Sequence, residues 1–144
     1  MERPTTITTP ETSIIIVDDT QDYAQILSRI LKRGMGYQNV ESFGSMEAAF
    51  EAISNEPERF PVLFLDYHFP NGKTGTELLE KLREHDLLEG RLVFFITAEP
   101  AVQKVIEANH NGAVGVIVKP FSSQALENLL QRVEHTLKLE QIEA

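Results

Sequence analysis

The sequence contains no cysteine. The chain can therefore form no disulfide, carry out no thiol chemistry and build no cysteine-based zinc site. Positive charge is also scarce, because 13 Lys and Arg residues stand against 22 Asp and Glu residues, a formal net charge of -9. Since nucleic-acid binding depends on clustered cations that contact phosphates, this balance argues against direct nucleic-acid binding.

Long apolar runs are missing as well. No stretch approaches the roughly 20 apolar residues of a membrane-spanning helix, so we expect no membrane segment. The N-terminal residues 1–6 lack the basic start and apolar centre of a signal peptide, and we expect a cytoplasmic protein. The length of 144 residues and the hydrophobic share of 42% suit one folded domain.

Five short apolar runs indicate the strands of a buried parallel sheet. Segments with helical periodicity separate them, and five strand–helix units in succession favour right-handed crossovers within one sheet. The predicted strands are 13–17, 38–43, 62–65, 92–96 and 114–118, and the predicted helices are 21–33, 45–54, 75–86, 99–109 and 122–138. The second strand is the least apolar of the five and is expected at a sheet edge.

The regions outside this pattern are short. Residues 1–12, rich in Thr and Pro, are interpreted as a flexible lead-in, residues 13–138 as the domain, and residues 139–144 as a C-terminal tail.

Apolar stripes predict which helix residues are buried. They are Tyr23, Ile26, Leu27, Ile30 and Leu31 in the first helix, and Ala125, Leu126, Leu129, Leu130, Val133 and Leu137 in the last.

Polar residues follow four of the five apolar runs. Asp18 and Asp19 follow the first run, Asp66 the third, Thr97 the fourth and Lys119 the fifth. The carboxyl ends of parallel strands share one sheet edge, and ligands of open α/β sheets bind there, where the strand order reverses. Three carboxylates, a hydroxyl and an ammonium are therefore predicted to converge.

This set suits phosphoryl chemistry with a divalent cation. Clustered carboxylates repel one another, and a bound cation relieves the repulsion. All-oxygen ligation favours Mg²⁺, Mn²⁺ or Ca²⁺ over zinc. The Lys119 ammonium and the Thr97 hydroxyl suit phosphoryl oxygens, and a carboxylate can itself be the nucleophile. Asp66 ends the expected central strand, so the predicted reaction is phosphoryl transfer to Asp66.

Each of these residues also has a simpler interpretation. Asp18 and Asp19 could cap the following helix, and Asp66 could be a turn residue. Thr97 could be a helix N-cap, and Lys119 could be a solvated loop lysine. The joint occurrence favours a site, because four different strands would otherwise end by chance in a compatible set.

In this order and spacing, four segments resemble the receiver (CheY-like) domain of two-component response regulators. The segments are Ile-Ile-Val-Asp-Asp at 15–19, Leu-Phe-Leu-Asp at 63–66 with Pro70 four residues later, Ile-Thr-Ala at 96–98, and Val-Lys-Pro-Phe at 118–121. The resemblance covers residues 13–138. It implies a (βα)5 flavodoxin-like, doubly wound parallel sheet with strand order 2-1-3-4-5.

The resemblance also implies roles for single residues. Asp66 would be phosphorylated, while Asp19, Asp66 and the backbone carbonyl of His68 would bind Mg²⁺, or Mn²⁺ in its place. Asp18 would act on the metal through water. Thr97, the backbone of Ala98 and Lys119 would hold phosphoryl oxygens, and Thr97 would move in the activating switch. Glu99, Val116 and Pro120 would modulate the reaction.

By the same resemblance the chain is a signalling protein and not a conventional enzyme, since it would catalyse only its own phosphorylation and dephosphorylation. The phosphoryl donor would be a sensor histidine kinase or a phosphotransfer protein. Phosphorylation would change affinity for a downstream protein. A homodimer through the face formed by residues 99–138 is a further candidate.

Two features depart from the family pattern. Most receivers carry Tyr or Phe three residues before the Lys, but Val116 stands there. The glycine leading into the third helix is Gly75, nine residues after Asp66, which makes that loop one residue longer than its commonest form.

Three other functions are less consistent with the sequence. A P-loop NTPase is suggested by Gly72-Lys73-Thr74, but Tyr67 stands where that motif needs its first glycine. A haloacid dehalogenase-type phosphatase needs a second Asp where His68 stands, and the chain has no room for a cap. A receiver-like scaffold that is never phosphorylated would be expected to have lost part of the acidic set or the Lys, and both are present.

Overall fold

A five-stranded parallel sheet forms the centre of the protein. The computed structural model describes residues 2–109 and 112–143, so Met1, His110, Asn111 and Ala144 lie outside the described residues. The strands are β1 (Ser13–Val17), β2 (Asn39–Phe43), β3 (Val62–Asp66), β4 (Leu92–Thr97) and β5 (Gly115–Val118). Their order in the sheet is β2-β1-β3-β4-β5, and all neighbours are parallel. The predicted fold class and strand order are confirmed.

Helices cover both faces of the sheet. They are α1 (Gln21–Arg29), α2 (Met46–Asn55), α3 (Thr76–Glu84), α4 (Pro100–Asn109) and α5 (Ser123–Glu143). Apolar side chains of α1 and α5 form one core with one sheet face, and those of α2, α3 and α4 form a second core with the other. Successive residues of a strand point to opposite faces, so strands buried on both sides are apolar throughout. This is why the central strands appear in the sequence as unbroken apolar runs.

The helix boundaries differ from the prediction at two places. The first helix is α-helical only to Arg29 and continues as a π-helical turn over Ile30–Gly34. The last helix continues to Glu143, through the segment predicted as a tail. Ser45 is the N-cap of α2, because its hydroxyl accepts a hydrogen bond from the backbone N–H of Ala48 at 3.1 Å.

The predicted apolar stripes are wrong at three positions. Tyr23 is 48% exposed and Ile26 is 50% exposed, whereas Ala24, absent from the predicted stripe, is buried. In α5 the predicted core residue Ala125 is exposed. Periodicity identifies the apolar side of a helix, but the position of the neighbouring elements decides how much of that side is covered.

The segment before β1 packs against α5. Ile7 is 1% exposed and belongs to the core that α5 shares with the sheet. Its backbone N–H donates to Glu134 Oε1 at 2.7 Å, and its carbonyl accepts from the Tyr37 hydroxyl at 2.7 Å. The division into a lead-in, a domain and a tail stays a prediction, but part of the lead-in contributes to the domain core.

Among the described residues, none of the helices combines the length and the apolar character needed to cross a membrane.

The buried position of Ile7 predicts a role in stability. We expect Ile7→Ala to lower the free energy of unfolding by about 2–4 kcal/mol, because the change removes a core side chain and leaves a cavity. Ile142→Ala is the matched control, since Ile142 is 80% exposed. Its effect should stay within about 0.5 kcal/mol. Urea unfolding measures both, and equal stability of the two variants would contradict the contribution of Ile7 to the core.

Candidate functional site

The register of the central strands brings the acidic residues together. Val17 of β1 lies opposite Leu65 of β3, so the next residues, Asp18 and Asp66, extend neighbouring strands at the same edge. One carboxylate oxygen from each of Asp18, Asp19 and Asp66 lies within 4.8 Å of the others. The predicted acidic cluster is therefore present.

Lys119 reaches this cluster from the far side of β4. Thr97 pairs with Val118 of β5, so Lys119 follows β5 directly at the same edge. Its ammonium Nζ lies 3.3 Å from Asp18 Oδ2 and 3.8 Å from Asp66 Oδ2. Both carboxylates thus share one cation.

Burial and mutual repulsion raise the pKa of Asp66. Asp66 is 6% exposed and Asp18 is 3% exposed. Desolvation by burial raises the pKa of Asp66 from 3.8 to about 7, and the negative charge of Asp18 acts in the same direction. The Lys119 charge and the His68 backbone N–H oppose this shift only in part. Without a bound cation, a substantial share of Asp66 is therefore protonated near neutral pH.

Three strand-end residues also organise the loops that follow them. The backbone N–H two residues further on donates to Asp18 Oδ1 at 2.9 Å, to Asp66 Oδ1 at 3.4 Å and to Thr97 Oγ1 at 3.1 Å. Such local bonds are typical of Asp and Thr at turns. The interpretation of Asp66 as a turn residue is thus correct in part, but the second carboxylate oxygen of Asp66, like that of Asp18, points to Lys119. In both Asp residues, Oδ1 accepts the hydrogen bond from the loop, and Oδ2 faces Lys119.

Asp19 differs from the other two carboxylates. Its side chain is exposed, and in the described part of the chain it takes part in neither a hydrogen bond nor an ion pair. Its oxygens are available to a ligand. The chemistry of the donor set fits a hard divalent cation, since carboxylate oxygens are preferred ligands of Mg²⁺. This acidic triad is typical of the Mg²⁺ site of receiver domains.

The Thr97 hydroxyl is engaged locally. Thr97 is fully buried at the end of β4. Besides accepting from the Glu99 N–H, its oxygen lies 3.4 Å from His68 Nε2, and Glu99 Oε1 lies 3.7 Å from the same ring nitrogen. To donate to a ligand oxygen, the hydroxyl hydrogen must point away from the His68 ring. The side chains of His68 and Glu99 therefore line the loop around Thr97.

The longer loop after β3 folds into a small hairpin. His68 and Thr74 form an antiparallel bridge, and the turn between them includes Asn71 at φ 65° and Gly72 at φ 73°. The chain then passes close to the acidic strand end, since a Cβ on Gly75 would lie 2.5 Å from the Asp66 backbone oxygen. The hairpin accommodates the extra residue, and only glycine allows the close approach at position 75.

The predicted modulating residues surround the site without entering the cluster. Val116 is buried in the core that contains α4 residue Ile106. Glu99 and Ala98 are exposed after β4, and Pro120 follows Lys119 through a cis peptide bond. Their roles stay predictions.

Tyr23 is a neighbour of the site that the sequence pattern did not identify. Its ring centroid lies 3.9 Å from Lys119 Nζ. The apolar stripe assigned Tyr23 to the core, and the available signal was an aromatic residue in the first turn after the Asp pair. The contact itself joins two residues far apart in the sequence.

The comparisons with known proteins agree with this geometry. A sequence model of the response regulator receiver domain matches residues 14–131. The chain is 31% identical over 120 residues to the chemotaxis protein CheY of Pseudomonas aeruginosa, which covers 83% of this chain and 94% of that protein. It is 31% identical, also over 120 residues, to chemotaxis protein CheY-3 of Vibrio cholerae, covering 83% and 89%.

Solved structures show the same similarity. The chemotaxis protein CheY4 of Vibrio cholerae superposes with a TM-score of 0.72 at 29% identity, over 85% of this chain and 98% of that one. A response regulator receiver domain protein from Clostridium thermocellum has the same fold, with a TM-score of 0.71 at 20% identity over 89% and 98% of the chains.

The fold and the acidic site define a phosphorylatable signalling domain rather than a conventional enzyme. The chain belongs to the response regulator receiver domain family and is CheY-like. Membership implies that the phosphoryl donor is a histidine kinase.

The raised pKa of Asp66 predicts a pH-dependent stability in metal-free protein. A carboxyl group whose pKa is raised on folding binds its proton more tightly in the folded state, so stability falls as pH rises between 3.8 and about 7. Asp66→Asn removes this titration. At about pH 8 in EDTA the variant should be more stable than the wild type by on the order of 2 kcal/mol, with a smaller difference at about pH 4. Urea unfolding across this range measures the difference, and a pH-independent value would contradict the shift.

Proposed function

We propose that Asp66 is the nucleophile that accepts the phosphoryl group from a phosphohistidine donor. The observation that carries this assignment is the position of Asp66 at the end of the central strand, where its carboxylate joins the acidic cluster and also faces Lys119. Asp18 faces the same lysine, but both of its oxygens have closer partners, at 2.9 Å and 3.3 Å. The corresponding Asp66 distances are 3.4 Å and 3.8 Å.

The reaction exchanges one phosphorus bond for another. An Asp66 carboxylate oxygen attacks the phosphorus atom, an acyl phosphate bond forms, and the bond from phosphorus to the donor imidazole nitrogen breaks. The nitrogen keeps the electron pair of that bond. Negative charge on the transferred group is met by the Lys119 ammonium, while Thr97 Oγ1 and the backbone N–H of Ala98 are proposed to donate to its other oxygens.

The acidic residues are proposed to bind Mg²⁺, with Mn²⁺ as a substitute. Asp19 and Asp66 would ligate the ion directly, together with the backbone carbonyl of His68, and Asp18 would act through water. When bound, the ion neutralises carboxylate charge and draws phosphoryl oxygens toward the site. The exposed Asp19 side chain supports a direct role, whereas the short contacts of Asp18 to Lys119 and to the loop backbone support an indirect one.

Phosphorylation is proposed to switch affinity for a partner protein. The donor would be a sensor histidine kinase or a phosphotransfer protein of the cytoplasm. Thr97 would leave the Glu99 N–H and the His68 ring to contact the phosphoryl group, with Glu99, Val116 and Pro120 modulating the change. A downstream protein, or a second copy binding through residues 99–138, would detect the new conformation.

The nucleophile assignment is tested by phosphorylation with a small donor. With Mg²⁺ and acetyl phosphate the wild type should gain one phosphoryl group by intact-mass spectrometry, and EDTA should prevent the gain because the carboxylate charges are then not neutralised. Asp66→Asn should not be phosphorylated. Asp22→Asn, at an exposed position in α1, is the matched control and should behave as the wild type. An adduct that persists in Asp66→Asn would exclude Asp66 as the nucleophile.

Val116 predicts a switch centred on the loop after β4. Most receivers place an aromatic ring at this position, whereas a β-branched valine is short and nearly fixed at χ1. A ligand shifts a conformational equilibrium only through differential contacts. We therefore expect beryllofluoride, a phosphoryl mimic, to change NMR shifts mainly at residues 97–105, with little change at 115–118. Large shifts confined to 115–118 would contradict this expectation.

A further inference from the structure

An aromatic side chain covers the ammonium of Lys119. Tyr23 lies in the first turn of α1, and its ring centroid is 3.9 Å from Lys119 Nζ. A cation at this distance is attracted by the negative face of the ring. The ring is only partly buried, with Tyr23 48% exposed, but the Lys119 side chain beneath it is only 10% exposed. Much of the lysine is thus kept from solvent.

The lysine needs such a constraint if it is to act at a fixed position. Its four-carbon stem is flexible, and the ammonium imposes no fixed direction on its contacts. The contacts that hold Nζ are the ring and two carboxylate oxygens, at 3.3 Å and 3.8 Å. A cation bound to the carboxylates would share their attraction for Nζ, whereas the ring contact does not involve the carboxylates.

We propose that Tyr23 is a positioning residue for phosphoryl transfer: its ring holds the Lys119 ammonium at the acidic strand ends, where the ammonium meets the phosphoryl oxygens. This inference rests on the proposed role of Lys119 and adds a residue of α1 to the site. Tyr23 does not touch the reacting atoms, and it acts through Lys119.

The surroundings of Lys119 explain why the ring face matters. A cavity of about 100 Å³ next to the lysine is lined mostly by apolar side chains, including Leu27, Ile96 and Phe121. Asp18 and Tyr23 also line this cavity, and apart from these two an ammonium that turned into it would lose hydration without gaining a partner. The ring offers an electrostatic partner on that side, which an aliphatic side chain of similar size cannot do.

The phenol hydroxyl is not part of the argument. Within the described residues the Tyr23 hydroxyl makes no hydrogen bond to another protein group, so its ring alone accounts for the contact with Lys119. The proposal therefore distinguishes two substitutions. Tyr23→Phe keeps the ring and should retain the effect, whereas Tyr23→Leu keeps apolar bulk and should lose it.

NMR spectroscopy tests the contact directly. Protons held over a ring face are shifted upfield by the ring current, so in the wild type and in Tyr23→Phe the Lys119 CεH₂ protons should be upfield of those of lysines that contact no aromatic ring. Lys81 is not a reference, because its Nζ lies 4.3 Å from the Phe50 ring centroid. In Tyr23→Leu they should move to the position of solvated lysines. A merely structural role of Tyr23 would not produce this pattern. Lys119 signals at the solvated position in the wild type would overturn the proposal.

Binding of beryllofluoride in the presence of Mg²⁺ tests the consequence for the site. We expect calorimetry to give equal affinity for the wild type and Tyr23→Phe, and an affinity about threefold to tenfold lower for Tyr23→Leu. In a Lys119→Met background, adding Tyr23→Leu should cause no further loss, because the residue acts through the lysine. Thermal melting of each variant establishes that it is folded.

The outcomes separate the inference from the proposed function. If the wild type binds beryllofluoride and is phosphorylated on Asp66, but Tyr23→Leu binds as well as Tyr23→Phe, the positioning role is wrong and the proposed function stands. If Tyr23→Leu lowers the affinity for beryllofluoride equally in the wild-type and Lys119→Met backgrounds, Tyr23 does not act through Lys119. If the wild type neither binds the mimic nor forms the Asp66 adduct, the proposed function itself is wrong.

Discussion

Repulsion between the carboxylates of Asp18 and Asp66 is the constraint around which the site is built. Hydrogen bonding between β1 and β3 sets the register, so the backbone positions that carry the two side chains stay adjacent. Burial strengthens their interaction because little water screens it. Desolvation by burial and the charge of Asp18 raise the pKa of Asp66 to about 7, although the Lys119 charge opposes them. The fold therefore maintains a local excess of negative charge that a divalent cation can relieve.

The loops around the sheet edge keep this strained arrangement in place. Asp18, Asp66 and Thr97 each accept a hydrogen bond from the backbone of the following turn through one side-chain oxygen. Gly75 allows the chain to pass close to the Asp66 backbone. Lys119 is fixed from two sides, by the carboxylates and by the Tyr23 ring. Preorganisation of this kind lets charged groups act without first paying the full cost of reorientation.

The two departures from the family pattern lie in different parts of the structure. The extra residue after Asp66 is taken up by a hairpin, and the acidic cluster is intact beside it. Val116 is different, because it is buried in the core and has too short a side chain to replace an aromatic ring. The proposed chemistry and the proposed switch thus depend on different residues.

The sequence by itself determined the strands, their order through the family resemblance, and the polar residues at the strand ends. These are local properties, because an unbroken apolar run and the residue that ends it are adjacent in the chain. Only the tertiary structure decided that Tyr23 contacts Lys119 and not the core. It also decided that Ile7 is buried in the core, where its backbone N–H donates to Glu134, 127 positions away in α5. The course of α5 to Glu143 was likewise not evident from its apolar stripe. Burial at these positions depends on which distant element lies across them, and hydrophobic periodicity carries no information about that.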